Sequence, residues 1–379
     1  MDHRESSGNR PMSLKTRHGE LELPTFLPDG TRGVVRTLDA SDLADCGVSA
    51  LMVNALHLSA HPGASLIHQV GGIHRFIGWD RPIASDSGGF QVLSLIGADP
   101  KGGRVTDEGF TYRLDRGAKK RSLTPEACIR KQMQMGADIL FCLDHCTHPK
   151  ESQDAQAQSV DRTIEWARRC KAEFARRMDR HPPDAIPPRL FAVIQGGDSR
   201  DLRARCSEAL LEIGFDGYGY GGWPIDQDGR LVESVGHVAE MVPKDIPSFA
   251  LGIGKPENLL SAFAAGYRLF DCALPTRDAR RQRLYTLERP LAEVQPGDGR
   301  WYRYLYVGDE RYARDADPVD GSCDCLCCSR YSRAYLHHLF QIGEGSAFRL
   351  ATAHNLRFYT RLMEHLRTRV VIPPGGENR

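Results

Sequence analysis

Eight short apolar runs rich in β-branched residues recur along the chain, at 33–37, 51–54, 83–86, 138–144, 189–195, 217–222, 248–253 and 269–274, with segments of helical period between them. Runs of this kind bury both faces only when they lie side by side in a parallel sheet covered by helices. Helices are expected at 124–135, which opens on Thr-Pro-Glu, at 201–213 and at 256–264. Eight strands with helical crossovers over roughly 250 residues fit either a (β/α)8 barrel or an open doubly wound sheet. The barrel is preferred because polar residues end several different runs: Asp86, Asp144, Gln195, Gly222 and Asp271. Only a closed barrel gathers all those ends at one mouth. The alternating stretch 12–28 reads as antiparallel strands capping the barrel's bottom.

At 379 residues the chain has room for such a barrel and a small appendage. The expected limits are 11–280 for the barrel with its cap strands, 281–354 for a metal-binding subdomain, and 355–379 for a C-terminal helix returning to the barrel. Hydrophobic residues make up 41% and charged residues 26%, as in globular proteins, and no apolar run approaches the roughly 20 residues that cross a bilayer. The polar start MDHRESSGNRP lacks the apolar core of a secretory signal, so a cytoplasmic protein without membrane partners is expected. A net charge of +1 gives no overall sign of nucleic acid. Any polyanion site must be local, and Arg277, Arg280, Arg281 and Arg283 form the densest cluster, although such clusters are commonly solvated faces.

Four of the eleven cysteines fall within 323–328, a crowding that favours a metal over disulfides. Cys323, Cys325 and Cys328 with one histidine would make a closed tetrahedral Cys3His set, suited to structural Zn2+. Spacing leaves the histidine open among His337, His338 and His354, and leaves Cys327 as a substitute for a neighbouring thiol.

Three segments carry aspartates at the ends of apolar runs: ASDSGGFQV at 84–92, FCLDHCT at 141–147 and FDCALPTR at 270–277. One such carboxylate alone is commonly a helix cap. Three at one barrel mouth suit a nucleophile with an acid/base partner. The glycines after Asp86 let a ligand approach the backbone, and the apolar flanks of Asp271 limit its hydration.

At these residues the sequence resembles the tRNA-guanine transglycosylase (queuine tRNA-ribosyltransferase) family over nearly its whole length. The match includes HRFIGWDRPI at 74–83, SDSGGFQV at 85–92, VIQGG at 193–197, FDGY at 215–218, LGIGKP at 251–256, DCALPTR at 271–277, the Cys323-x-Cys-x-x-Cys run and YSRAYLHHL at 331–339. The resemblance implies a (β/α)8 barrel with a zinc subdomain, and His354 of the pair His354-Asn355 as fourth ligand. It further implies Asp271 as the nucleophile on the ribose of a tRNA guanosine at the anticodon wobble position, and Asp86 as general acid/base. Asp144, Gln195, Gly222, Phe90, Ser87 and Trp223 would surround guanine and the incoming 7-deazaguanine base, of prequeuine or queuine type. Thr276, Arg277, Arg280 and Lys255 would contact the tRNA anticodon loop. Tyr331, Tyr335 and His338 would meet Phe76 of a second copy in a homodimer.

The sequence departs from that pattern in places. Trp223 replaces a leucine, and Gln227 stands where a glutamate would hold a cationic substituent of the incoming base, leaving neighbouring Asp226 as the available anion. His145 follows Asp144 in place of a glutamate, and Arg281-Gln282 replaces Asn-Gly. Two other readings are a catalytically silent RNA-binding partner, opposed by the intact Asp86 and Asp271, and a metal-dependent hydrolase using His57, His61, His145 or His148, opposed by the absence of a His-x-His pair on the first strand.

Overall fold

The computed structural model describes residues 12–369, with 116 and 299 excepted. Eight strands form one parallel sheet: β1 (Thr25–Pro28), β2 (Leu51–Asn54), β3 (Ile83–Asp86), β4 (Ile139–Phe141), β5 (Arg189–Ile194), β6 (Gly217–Tyr220), β7 (Ser248–Ala250) and β8 (Leu269–Cys272). Their spatial order is β1-β8-β7-β6-β5-β4-β3-β2. A parallel bridge between Asp29 and Met52, with Gly30 N–H donating to Met52 O at 2.7 Å, brings the two edges together. The barrel expected from the eight-fold alternation is therefore present, and it leaves little open sheet edge.

The first strand is not where the apolar pattern put it. Residues 33–37 form no strand, and Thr25–Pro28, assigned to the antiparallel cap, is the first barrel strand. All four of its residues are buried, and it pairs in parallel with β8 from Thr25 against Leu269 to Pro28 against Cys272. Gly33 and Thr37 both adopt positive φ, 75° and 77°, which breaks an extended run, and Arg32, Val34 and Arg36 face solvent. Burial on both faces selected the shorter run over the longer one.

The remaining cap is a hairpin, Ser13–Thr16 with Gly19–Glu22. Its Leu14 and Leu21, with Leu23, pack onto Ile139, Phe191 and Leu269 and plug the bottom of the barrel. Beside the plug, Asp138 accepts from His18 Nδ1 at 2.8 Å, from His74 Nε2 at 2.9 Å and from the Ile83 amide at 2.9 Å. The helices follow from ordinary caps: Thr124 accepts from Ala127 N ahead of Pro125–Met135, and Ser199 accepts from Leu202 N ahead of Arg200–Ile213. A small antiparallel sheet, Arg104–Thr106, Gly109–Tyr112 and Arg121–Leu123, inserted after β3, has no counterpart in the sequence reading.

After β8 a short helix, Leu274–Arg280, leads into the hairpin Arg283–Leu287 with Tyr302–Tyr306 and then to the cysteine-rich segment. The helix Gly345–Arg367 runs continuously from that segment onto the barrel, packing against Leu274–Arg280 and Cys325's neighbours at one end and placing Tyr359 against Phe26 at the other. The expected limits at 11 and 379 lie outside the described residues. Among those described, no helix is long and apolar enough to cross a membrane.

Candidate active site

The parallel strands all point their C-terminal ends at one mouth, where a cavity of ≈350 Å³ opens. That volume lies in the range of small-ligand clefts. Asp86 from the end of β3, Asp144 after β4, Gln195 after β5, Gly222 after β6 and Asp271 from β8 all line it. Five polar groups scattered over nearly two hundred residues thus converge, as strand ends in a barrel must.

Each carboxylate is held differently. Asn54, at the end of β2, donates to Asp86 Oδ2 at 2.8 Å while its own Oδ1 accepts from the Leu56 and His57 amides. Both ends of that amide are committed, so its orientation is fixed. Asp271 Oδ1 accepts from Gly252 N–H at 3.0 Å, and Asp144 Oδ2 accepts from Gln195 Nε2 at 2.6 Å. Burial pushes all three carboxyls above the usual carboxylate range, Asp144 and Asp271 to about 7, and the charge of Asp86 raises both of those further. Desolvation outweighs the hydrogen bonds that oppose it.

The walls are aromatic and aliphatic. Phe90 and Trp223, both about two-fifths exposed (44% and 43%), meet edge to face at 5.6 Å on one side, and Leu251 lies on the lining as well. The same cavity is lined by Asp144, Gln195 and Gly222, so aromatic faces and polar groups share one wall. Gly222 has φ 107°, which turns its peptide in a way an L side chain rarely permits.

Other expected residues fall elsewhere. Ser87 is buried behind the cavity, where its Oγ accepts from Gly89 N–H at 3.2 Å. Thr276 is 1% exposed and donates to Ala273 O. Arg277 is exposed, whereas Arg280 turns back to the Thr276 carbonyl at 2.8 Å and Lys255 to the Gly229 carbonyl at 3.3 Å. Asp226 is occupied by its own turn, accepting from the Asp228 and Arg230 amides at 2.9 and 2.8 Å; neither it nor Gln227 lines the cavity. Tyr331 and Tyr335 stack at 5.1 Å, and Tyr335, His338 and Phe76 are exposed.

Sequence reasoning missed Asn54 and Arg203. Asn54 ends a barrel strand, so the rule that found Asp86 would have found it too. Arg203 gave no such signal, because an arginine within an amphipathic helix reads as a solvated residue. In the structure it is 1% exposed and reaches under the cavity.

The cysteine cluster lies apart from this mouth. The ligand atoms of Cys323, Cys325, Cys328 and His354 all lie within 4.8 Å of one another. His354 Nε2 donates to Tyr285 O at 2.7 Å, which fixes the tautomer and leaves Nδ1 toward the thiols, 3.2 Å from Cys328 Sγ and 3.6 Å from Cys325 Sγ. The set can hold a metal ion, and three thiolates with one imidazole and no open position suit a structural rather than a catalytic one. Cys327 turns into the local apolar core, where burial pushes its thiol up. Of the histidines that spacing left open, His354 is the one in the cluster.

A (β/α)8 barrel with acidic and amide groups converging at its mouth and a Cys3His set able to hold a metal on a C-terminal appendage has the organisation of a barrel enzyme. The chain matches the family described as queuine tRNA-ribosyltransferase over residues 5–371. Relatives called queuine tRNA-ribosyltransferase include those of Solidesulfovibrio magneticus, 37% identical over 94% of this chain and 90% of the relative, and Halothermothrix orenii, 37% over 96% and 91%. That of Chromobacterium violaceum is 37% identical over 96% and 92%. The chain belongs to the queuine tRNA-ribosyltransferase family, whose reaction class is pentosyl transfer.

Proposed function

We propose that this chain is a tRNA-guanine transglycosylase, exchanging guanine at the anticodon wobble position for a 7-deazaguanine base through a covalent Asp271–ribose intermediate. The observation that carries this reading is the meeting of Asp86 and Asp271 at one cavity, with Asp144, Gln195 and Gly222 on the same lining. Asp271 in its ionised form attacks the anomeric carbon, and the bond to the base breaks. Asp86, whose carboxyl burial pushes above the usual carboxylate range, gives a proton to the departing guanine and later takes one from the incoming base, whose nitrogen displaces Asp271. Two displacements at one carbon retain its configuration.

Base selection follows from the acceptor and donor pattern. Asp144 accepts from guanine N1–H and the exocyclic amine, and Gln195 and the Gly222 amide serve O6. To do this Gln195 must swing from Asp144, so the bond between them is exchanged for bonds to the base. Phe90 and Trp223 flank the ring. The target base must leave its stack to reach this depth. Arg277 is an exposed cation available to tRNA phosphate, with Thr276, Arg280 and Lys255 as the further tRNA contacts. We assign Zn2+ to the Cys3His cluster as a structural ion, and the exposed faces of Phe76, Tyr335 and His338 to a homodimer contact.

The deciding experiment is covalent trapping. Wild-type protein incubated with tRNA is expected to form a denaturation-resistant complex, and Asp271→Asn to lose it while retaining tRNA binding. A complex that persists in the variant would assign the nucleophile to another residue. Mass spectrometry of tRNA treated with a panel of 7-deazaguanines then identifies the incoming base.

A further inference from the structure

Arg203 is a buried guanidinium whose hydrogen bonds all go to backbone carbonyls. Its Nε donates to Gly197 O at 2.9 Å, and its Nη1 donates to Ile194 O at 2.6 Å and to Gly221 O at 2.9 Å. Its plane lies over the Tyr220 ring at 4.3 Å. Among the described residues no carboxylate pairs with it, and Nη2 has no hydrogen-bond acceptor. A fully buried arginine without an acid is rare, because the charge is taken out of water with nothing of opposite sign to replace it.

Its position explains what the charge faces. A Cβ placed on Gly222 would lie 3.4 Å from Arg203 Nη2, so the guanidinium sits directly behind that residue. Gly221 O and Gly222 N–H belong to one trans peptide and point in opposite directions. The oxygen takes the Arg203 hydrogen bond, while the N–H, with no acceptor among the described residues, is left for a ligand in the cavity. A cation on the carbonyl end polarises the peptide and strengthens the donor at the other end. Arg203 also ties down the Ile194–Gly197 segment that carries Gln195.

We propose that Arg203 is a positioning residue for base expulsion: it holds and polarises the Gly222 amide so that this donor stabilises negative charge developing on the departing purine. This rests on the transglycosylase reading above. As Asp271 forms its bond to the anomeric carbon, the pair of electrons of the breaking C1′–N9 bond moves onto the purine and spreads to O6, the atom facing Gly222 N–H, before Asp86 supplies the proton. A preorganised donor at a developing oxyanion typically contributes about 10²-fold in rate or more.

The test compares leaving bases in single-turnover release from tRNA. One substrate carries guanine at the reacting position and the other carries 7-cyano-7-deazaguanine, whose electron-withdrawing group already disperses the charge. Arg203→Gln is expected to slow guanine release about 10²-fold and to slow release of the electron-poor base clearly less. Arg203→Lys keeps the charge without the three-carbonyl fork, so it should show the same ordering with smaller losses, and it serves if the glutamine variant fails to fold. Equal slowing of both bases would reduce Arg203 to a packing role, and unchanged release would remove it from the reaction. Exchange of labelled guanine by the wild type separates these outcomes from failure of the transglycosylase reading itself, in which case no release occurs from either substrate.

Discussion

Gln195 Nε2 donates to Asp144 Oδ2 at 2.6 Å on the cavity wall, so the two groups proposed for neighbouring positions on one edge of guanine satisfy each other. Burial still holds the Asp144 carboxyl at about 7, because one amide donor does not replace its lost hydration.

Base affinity is therefore expected to depend on pH near neutrality. Guanine offers two donors, which only the ionised Asp144 accepts fully, so affinity should rise between about pH 6 and about pH 8. Titration calorimetry with guanine checks this, and Asp144→Asn should both weaken binding and flatten the profile. The stability effect has the opposite sign. A carboxyl with a folded pKa above its unfolded 3.8 favours the native state fully in acid and loses that contribution as pH rises through about 7.

At the barrel bottom Asp138 should behave in the reverse manner. His74 and His18, together with the Ile83 amide, hold its carboxyl below the usual range against the effect of burial. Its stabilising contribution is present above the unfolded value of 3.8 and disappears as pH falls through the lowered folded pKa. Asp138→Asn should cost about 1–3 kcal/mol at neutral pH, the range for leaving buried polar partners unsatisfied. Denaturant melts should show that difference shrinking in strong acid; a variant as stable as the wild type at neutral pH would show the clasp to be dispensable.

Metal content should separate adjacent cysteines. Cys325→Ser removes a ligand and is expected to lower bound zinc and the yield of folded protein more than it disturbs base binding. Cys327→Ser, two residues further on and turned into the apolar core, should keep its metal. Elemental analysis of both variants decides the ligand set, and full metal content in Cys325→Ser would contradict it.

The two arginines after the nucleophile should differ in kind. Arg277→Ala removes an exposed cation, so tRNA affinity should fall with its salt slope reduced by about 1 and melting unchanged. Arg280→Ala also releases the Thr276 carbonyl, so a modest drop in melting temperature should accompany the loss of affinity. Filter binding across a salt series with parallel thermal melts distinguishes the two.

Much of this architecture was legible in the linear pattern. Seven of the eight barrel runs fall on observed strands, and five of those strands end before the run does, because the chain leaves the sheet as soon as its residues turn into the mouth. β4 stops at Phe141, three residues short of Asp144. The first strand was misplaced because 33–37 and 25–28 are both short and apolar, and periodicity cannot tell which is covered on both faces.

By itself, the sequence determined that these strands must lie parallel under helices, that polar strand ends must share one mouth, and that thiols crowded at 323–328 call for a metal. Those consequences follow from burial periodicity and ligand chemistry, which are local. Only the tertiary structure decided that His354 completes the thiol cluster, that Asn54 pins Asp86, and that the Arg203 cation sits behind Gly222. Each of these depends on the distance between segments far apart in the chain, and no local preference encodes a distance that closure of the barrel creates.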